Sequence, residues 1–404
     1  MTNKKTGRTA ILAVVLAGLV LFAACASAPA GERKKVVKMG YMACLTGPAS
    51  AVMQGGWRNT VDYLRYFKEV GVPGLSLPPG VTVELVWGDT GMEGPRAISI
   101  YERTYKDVVY FHVPDPISAH ALKSRLERDS MPAMTLAVDE VLMYPPSSIF
   151  SIFPTESERF AAVCDWIMED WKEERPPRVG MMGTDTPAGR AAEVMGTAYA
   201  KSIGIEMLPF EVVPYLPLDV SPQLSRLTEG GADFIYLQCV WATAIPIMKD
   251  AERLGLIGRI RFGGGVEDTQ SVELIEALGP AAEGYFHARA CPWYEETPVL
   301  HDILRQYQGR LDTSGGAASV LLYVPVSIEA IRIAIEQAGY ENLDCRTVKE
   351  AMYSIKNFDP HHTGRSVSYT REDHRGAPKL RIYQVQNGKV VPVTDWREAH
   401  MLVP

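Results

Sequence analysis

Two hydrophobic periods alternate along almost the whole chain. Short apolar runs, which are typical of buried strands, are followed by longer segments whose apolar residues recur every three to four positions, as on one face of a helix. This alternation predicts an α/β fold with mostly parallel sheets and helices on both faces. Strands are predicted at 37–42, 81–87, 108–112, 133–136, 149–153, 178–182, 206–213, 234–238 and 261–263. Helices are predicted at 57–70, 94–106, 119–129, 156–171, 189–203, 222–229, 244–254, 271–277, 299–310 and 318–338.

The number of predicted strands favours two domains. Strands this short and this numerous do not fit one comfortable sheet, whereas 404 residues with 47% hydrophobic composition can form two cores of ordinary size. A boundary is predicted near Pro154, where an apolar strand gives way to a helix, and a second change follows residues 285–292. The closing segment 379–395 alternates with period two around Asn387-Gly388, which predicts a β-hairpin.

The N-terminal segment has the features of an export signal followed by a tether. A basic start precedes an apolar run at 9–24 that is too short for a comfortable membrane span. The sequence LFAAC, which ends at Cys25, resembles a bacterial lipobox, whose cysteine is lipidated and becomes the mature N-terminus. Small residues at 26–30 would also suit an ordinary signal peptidase, and an uncleaved anchor is a third alternative. All three export the chain, and we predict a signal peptide at 1–24 and a tether at 25–36.

Charge and cysteine content narrow the possible functions. The net charge is −7 and the basic residues are scattered, so the chain lacks the basic surface that binding to nucleic acid requires. Five cysteines remain besides Cys25, and this odd number predicts at least one free thiol. No close pair indicates a metal or redox site, and mostly apolar surroundings predict buried thiols.

Sequence motifs of catalysis and cofactor binding are absent. The chain contains no phosphate-binding GxxxxGK loop, no HExxH, no GxSxG and no CxxC. The glycines at 263–265 follow a predicted strand but lack the spacing that a dinucleotide needs. His361 and His362 lie beside Asp359, but two adjacent histidines do not easily share one ion without a third ligand. We therefore predict no enzymatic activity, no cofactor and no metal.

The turn at 45–49, Leu-Thr-Gly-Pro-Ala, follows the first predicted strand. It opens a helix that we expect to begin near Met53. The end of a strand that meets the N-terminus of a helix exposes backbone N–H groups, and ligands of open α/β folds bind outside the carboxyl ends of strands. This turn is therefore predicted to form the first wall of a binding site.

The order of motifs along residues 37–395 resembles the branched-chain-amino-acid type of periplasmic solute-binding protein. These proteins are the receptors of ABC importers. Each motif is short and loose, but their order is specific. The motifs are the turn at 45–49, Gln54-Gly55, Gly88-Asp89-Thr90, and the segments MPAM at 131–134, IFPT at 152–155, GGADFIY at 230–236, AERLGL at 251–256 and YTREDHRG at 369–376.

The resemblance implies the type I periplasmic-binding-protein fold, in which a three-segment hinge joins two doubly wound lobes. A small-molecule ligand binds between the lobes and stabilises the closed form. The implied partners are the transmembrane subunits of an ABC permease, and the chain is expected to be a monomer. The implied division assigns 37–154 and 287–378 to lobe 1, and 155–286 and 379–404 to lobe 2.

The ligand positions that the resemblance implies differ from the family pattern in lobe 1. The segment 114–118 keeps a hydroxyl only at Ser118, and the family's small-residue loop after Met134 ends here in Asp139. An acid there repels a carboxylate, so we expect a departure from the ordinary amino-acid mode. The candidate ligand-binding residues are Met53, Gln54, Asp115, Ser118, Ala137, Asp139, Asp185, Ala188, Trp241 and Glu267.

We expect an extracytoplasmic receptor for a small polar organic ligand, such as an amino acid, an amide or an amine. Asp139 and Glu267 favour ligands with cationic or amide N–H groups, and Trp241 offers a ring on which a flat or cationic ligand can stack. Two alternatives stay open. One is a ligand sensor of the same fold that signals instead of delivering its ligand. The other is an exported enzyme that uses Asp115, Asp139 and Glu267 for acid and base chemistry.

Overall fold

The computed structural model of the chain describes residues 35–136, 138–266, 271–293, 296–308 and 317–404. Within these ranges the chain forms two β-sheets, and helices pack against both of them. Most strand pairs are parallel. This arrangement confirms the α/β fold class that the hydrophobic pattern predicts.

The first part of the chain contains five strands and four helices. They are β1 (Lys35–Ala43), α1 (Ser50–Glu69), β2 (Val81–Asp89), α2 (Gly94–Thr104), β3 (Phe111–His112), α3 (Pro116–Arg128), β4 (Ala133–Thr135), α4 (Glu140–Met143) and β5 (Ile149–Ser151). The strands form a parallel sheet in the order β2-β1-β3-β4-β5. All five carboxyl ends therefore lie at one edge, where Ala43 pairs with Asp89.

The chain then passes into a second sheet. The elements of this part are α5 (Glu156–Asp170), β6 (Arg178–Thr184), α6 (Pro187–Arg190), α7 (Met195–Ser202), β7 (Glu206–Met207), β8 (Glu211–Val213), α8 (Ser221–Glu229), β9 (Phe234–Gln238), α9 (Trp241–Arg253), β10 (Arg261–Gly264), α10 (Val272–Leu278) and β11 (Phe286–Arg289). Its strands are parallel, and β6 lies between β9 and the short pair β7 and β8.

The last part of the chain returns to the first sheet and then crosses again. Helices α11 (Pro298–Gln308), α12 (Ala317–Ala338) and α13 (Cys345–Met352) come first, and α11 and α12 pack against α1. Strands β12 (Lys379–Gln386), β13 (Lys389–Pro392) and β14 (Arg397–Glu398) then join the second sheet, with β12 antiparallel to β11. The chain therefore passes between the two halves three times.

The crossing segments after β5 and before β12 meet at a buried ion pair. A guanidinium nitrogen of Arg375 lies 3.0 Å from Oε2 of Glu158, and both side chains are almost inaccessible to solvent. Glu158 also accepts hydrogen bonds from the N–H of Thr155 and the hydroxyl of Tyr144, both at 2.9 Å. A single carboxylate thus connects the first crossing to the third.

Several predicted boundaries differ from the observed ones for local reasons. The strand predicted at 206–213 is two short strands, because Pro209 lies between them and has no N–H to donate to the sheet. Helix α1 begins at Ser50, one turn before the expected start near Met53. Helix α13 was not predicted; Asp344 caps its N-terminus by accepting the N–H of Thr347.

The described residues contain no helix that combines the length and the apolar character needed to cross a membrane. All five cysteines beyond Cys25 are free thiols, and four of them are buried. This confirms the expectation of at least one free thiol and accords with buried thiols in four positions.

Candidate functional site

A cavity lies between the two halves, at the carboxyl ends of strands from both sheets. The space between its lining atoms is about 980 Å³, a figure that includes open solvent. The first half contributes residues that include Tyr41, Val52, Met53, Asp115, Leu136 and Phe153. The second half contributes residues that include Thr184, Thr186, Ala188, Tyr215, Gln238 and Val240. Ligands of open α/β folds bind at this edge of the sheet, so the cavity is the candidate functional site.

Ala49, the last residue of the turn at 45–49, lines the cavity, and an internal carboxylate holds the backbone at the start of the turn. Asp89 accepts the N–H of Leu45 at 2.8 Å and the hydroxyl of Thr46 at 2.7 Å. Partial burial disfavours ionisation of Asp89, but these hydrogen bonds outweigh burial and keep its pKa below the usual value. The donors that the sequence offered to a ligand are therefore used within the protein.

Backbone conformation explains the glycine in this turn. Gly47 has φ +83°, and a Cβ atom there would lie 2.7 Å from the carbonyl oxygen of Gly91. Only a residue without a side chain fits this conformation and this close approach without strain. The turn leads directly into α1, and both Ala49, which precedes the helix, and Met53, in its first turn, line the cavity.

Asp115 is the fully buried acid of the first half. It caps α3, and its Oδ1 accepts the N–H of Ser118 at 2.7 Å. Its Oδ2 has no hydrogen-bond partner within the described part of the chain. Burial raises the pKa of Asp115, and the nearby donors of Ser118, Ile117 and Thr90 oppose this rise only in part. The cavity thus contains a carboxylate with one unused acceptor atom.

Glu156 and Gln238 form the polar wall of the second half. The amide Nε2 of Gln238 donates to Oε2 of Glu156 at 3.2 Å and to the carbonyl oxygen of Ala188 at 2.9 Å. Glu156 also lies 3.5 Å from Nε of Arg159, and both of these side chains are buried. Because Arg159 compensates its charge, Glu156 is not a second uncompensated acid.

Two hydroxyl groups stand at the end of β6. The Oγ1 atoms of Thr184 and Thr186 lie 2.9 Å apart, and Thr186 caps α6 by accepting the N–H of Gly189 at 3.1 Å. A Cβ atom at Gly189 would lie 2.2 Å from the carbonyl oxygen of Thr184, so the glycine permits this tight turn. Both hydroxyl groups belong to residues that line the cavity.

The remaining wall is mostly apolar. Val52, Met53, Leu136, Phe153 and Val266 line it, and no lysine, arginine or histidine lines it among the residues that the structure describes. An anionic group in this cavity would face Asp115 without a compensating cation, which is unfavourable for two like charges in a partly buried site. The lining therefore favours neutral or cationic molecules with an apolar part.

Three of the candidate residues from the sequence line the cavity: Met53, Asp115 and Ala188. Ser118 is buried behind Asp115 and contributes its N–H to that carboxylate. Gln54 lies outside the lining, because its side-chain amide donates to the carbonyl oxygen of Leu45 at 3.0 Å.

The other described candidates have different contacts. Asp139 caps α4, and its Oδ2 lies 2.6 Å from Nε2 of His120, so both carboxylate oxygens are occupied and the residue is absent from the lining. Asp185 is exposed and pairs with Arg190 at 2.6 Å. Trp241 begins α9 beside the lining residue Val240. Ala137, Glu267 and the predicted lipidation site Cys25 lie outside the described residues.

Sequence reasoning placed Thr186 in the segment 185–189 that could supply donors, but it missed Thr184, Glu156 and Gln238. Thr184 and Gln238 are the last residues of β6 and β9, so a search of strand ends could have found them. Glu156 begins α5 at the first crossing, where no local pattern separates it from an ordinary acid in the first turn of a helix.

Comparisons with known proteins agree with this geometry. The sequence profile described as "Periplasmic binding protein" matches residues 36–389, and no curated protein sequence matches the chain. A branched-chain amino acid ABC transporter protein from Thermus thermophilus with bound valine is 24% identical, with a TM-score of 0.81, and the match covers 91% of this chain and 97% of that protein.

Two further structures share the fold. The first is a fatty acid ABC transporter substrate-binding protein from Thermomonospora curvata, which is 20% identical with a TM-score of 0.79, and the match covers 92% of this chain and 95% of that protein. The second is a solute-binding protein from Rhodopseudomonas palustris in complex with 3,4-dihydroxy benzoic acid, which is 17% identical with a TM-score of 0.72 and coverages of 91% and 99%. The ligands of these three proteins differ, so likeness at this level indicates the fold and leaves the ligand open.

Proposed function

The chain belongs to the periplasmic binding protein family, and we propose that it is the extracytoplasmic receptor of an ABC importer, which encloses one small organic solute and delivers it to the permease. The observation that carries this proposal is the cavity at the carboxyl ends of strands from both sheets. A solute in that position contacts both halves at once. It therefore stabilises the closed arrangement by the contacts that only this arrangement provides.

Helix contacts across the cavity support a closing movement. Helix α9 of the second half packs against α1 of the first half, and α6 packs against α3 in the same way. The chain passes between the two halves three times, which is the connection that hinge closure uses. The predicted lobes, with boundaries near 154, 286 and 378, belong to this proposal.

The lining also supports a class of solute. Asp115 and Gln238 each carry an acceptor oxygen without a hydrogen-bond partner in the described ranges, and the walls around them are largely apolar. A solute with N–H or O–H donors and an apolar part satisfies both features. We do not expect the chain to change its solute chemically.

The location outside the cytoplasm is part of the same proposal. A lipid on Cys25 would tether a monomeric receptor beside the permease subunits. The segment 25–34 would give it the reach to open and close freely; the predicted tether ended at residue 36, but residues 35 and 36 already belong to β1.

Native mass spectrometry of protein purified without refolding tests the proposed function. We expect one extra mass per chain, which is released unchanged by denaturation and restores the bound species when added back. Thermal unfolding is then measured with a panel of amines, amides and amino acids. A true ligand raises the midpoint temperature of unfolding as its concentration rises. Failure of every retained or added solute to bind would contradict a receptor function, and chemical turnover of a bound solute would favour the enzyme.

A further inference from the structure

Asp115 has an unused acceptor atom in an enclosed space. The side chain is fully buried and lines the cavity, Oδ1 is occupied by the N–H of Ser118, and Oδ2 has no hydrogen-bond partner in the described part of the chain. Burying a carboxylate oxygen without a hydrogen-bond partner destabilises the folded protein, unless a ligand supplies that partner. The partner most complementary to a buried carboxylate oxygen is a cation that also donates a hydrogen bond.

The protein supplies no such cation near Asp115. The neighbouring Tyr41 and Cys44 stay neutral, because burial raises the pKa of each to about 12. Charged groups of the adjacent elements are already engaged with one another: Arg96 with Asp89, His120 with Asp139, Arg190 with Asp185, and Glu140 with the hydroxyl of Thr155. A cation beside Asp115 would therefore come from the ligand.

The other acid of the cavity does not compete for that cation. Glu156 lies beside Arg159 and accepts from Gln238, so its charge is compensated inside the second half. Within the described lining, Asp115 is thus the acid without a paired cation. A ligand with two separated positive charges would leave one of them against apolar wall.

Apolar side chains define the rest of the ligand. Met53, Leu136 and Phe153 from the first half and Val240 and Val266 from the second half line the cavity around its polar groups. They provide hydrophobic surface for a hydrocarbon or aromatic body of the size that such cavities usually hold.

From this arrangement we infer that the solute is an amphipathic monoamine, with its ammonium group paired to Asp115 and its apolar body between Phe153 and Val266. This inference rests on the proposed receptor function and narrows its solute class. It also agrees with a lining that, among the described residues, offers no cation to a carboxylate.

Isothermal titration of the purified full chain with phenylethylamine tests the inference, with three matched probes beside it. Phenylethanol lacks the charge, phenylacetate reverses it, and putrescine carries a second one. We expect phenylethylamine to bind about tenfold to a hundredfold more tightly than each of these, which is the usual gain from a charge-assisted hydrogen bond. Its affinity should rise as pH rises through the raised pKa of Asp115, because the carboxylate loses its proton there.

Asp115→Asn is the variant that isolates the charge. Asparagine can accept the Ser118 N–H and cap α3 as aspartate does, so the variant is expected to fold. We expect it to lose phenylethylamine affinity about tenfold or more, with the pH dependence removed. The matched control is Asp344→Asn, which changes the same residue type at the same capping position of α13, away from the cavity lining, and should bind phenylethylamine like the parent chain.

Each result has a separate meaning. Equal binding of phenylethanol and phenylethylamine, or undiminished amine binding by Asp115→Asn, overturns the inference, as does an affinity that falls as pH rises. If phenylacetate or another anion binds tightly at the cavity, the receptor function stands and the amine assignment falls. If no probe and no retained solute binds at all, the receptor function itself is contradicted.

Discussion

The carboxylate of Asp115 accepts the N–H of Ser118 at 2.7 Å, and this hydrogen bond uses only Oδ1, one of its two oxygen atoms. The bond fixes the start of α3 and holds Asp115 in the cavity lining. Its second oxygen has no hydrogen-bond partner among the described residues. The same residue therefore stabilises a helix and leaves an acceptor oxygen available to a ligand. Burying that unpaired oxygen lowers the stability of the solute-free protein, and this loss can be measured.

The cost of burying Asp115 should appear as a pH dependence of stability. Its folded-state pKa is raised, chiefly by burial, so between the unfolded value of about 3.9 and the raised value the folded chain binds more protons. The contribution of Asp115 to stability is full at low pH and is lost as pH rises through the folded pKa. Urea unfolding of solute-free protein at several pH values should show this fall.

Comparison with Asp115→Asn isolates this contribution. The parent chain should lose stability relative to the variant as pH rises through that window, because asparagine does not titrate. A difference that is constant with pH would show that the carboxylate is not buried as described. A difference that grows in the opposite direction would contradict the sign of the pKa shift.

Breaking the ion pair between Glu158 and Arg375 should lower the stability of the chain strongly, because both side chains are buried. Glu158→Gln leaves the guanidinium of Arg375 buried beside a neutral amide, with Asp373 as its remaining carboxylate partner at 2.7 Å. Loss of one partner of a buried pair costs about 3 kcal/mol or more of unfolding free energy. Chemical denaturation measures this loss directly.

An exposed ion pair provides the control. Glu350 and Arg371 lie 2.6 Å apart with more than half of each side chain exposed to solvent. Glu350→Gln should change stability much less than Glu158→Gln, because water screens exposed charges. Equal losses for the two variants would refute a special role for the buried pair at the crossing segments.

Gly47→Ala should destabilise the cavity wall more than a comparable change elsewhere. Gly71 has a similar φ of +87° with no atom close to an added Cβ, so Gly71→Ala measures the backbone cost alone, about 1 kcal/mol. At Gly47 the added carbon also meets the carbonyl oxygen of Gly91, so the loss should exceed that of Gly71→Ala by about 1 kcal/mol or more. Thermal unfolding of both variants decides this, and equal losses would contradict the described turn.

The lipobox hypothesis has its own test. Cys25→Ser removes the thiol that a lipid would modify, so the variant should fail to incorporate labelled palmitate and should separate from the membrane fraction. The parent chain should do the opposite in both assays. Release of the parent chain into the soluble fraction without label would favour ordinary cleavage after the signal segment.

The fold could be predicted from the sequence because apolar residues recur with different spacing in strands and in helices. Strand β9 coincides with the predicted strand at 234–238, and the hairpin of β12 and β13 forms around Asn387-Gly388. Failures occur where local chemistry overrides the period, as at Pro209 between β7 and β8. Helix α13 was missed because it has only eight residues, so its apolar face shows little more than two turns of the helical period.

The site was less predictable because it depends on contacts between distant segments. Asp115 and Asp139 both precede helices and both cap them, and sequence alone does not separate them. The difference is that His120, from α3, occupies the second oxygen of Asp139. Gln238 and Glu156 are 82 residues apart in the sequence and meet only when the second half folds.

Hydrogen–deuterium exchange tests the central claim that both halves enclose one solute. The measurement compares the chain with and without the solute that it retains on purification, and follows peptides that cover residues 115–118 and 184–189, one from each side of the cavity. We predict slower exchange in both segments together, and no change at the surface groove that includes Phe67 and Leu77. Protection confined to one half, or located at that groove, would contradict enclosure between the halves.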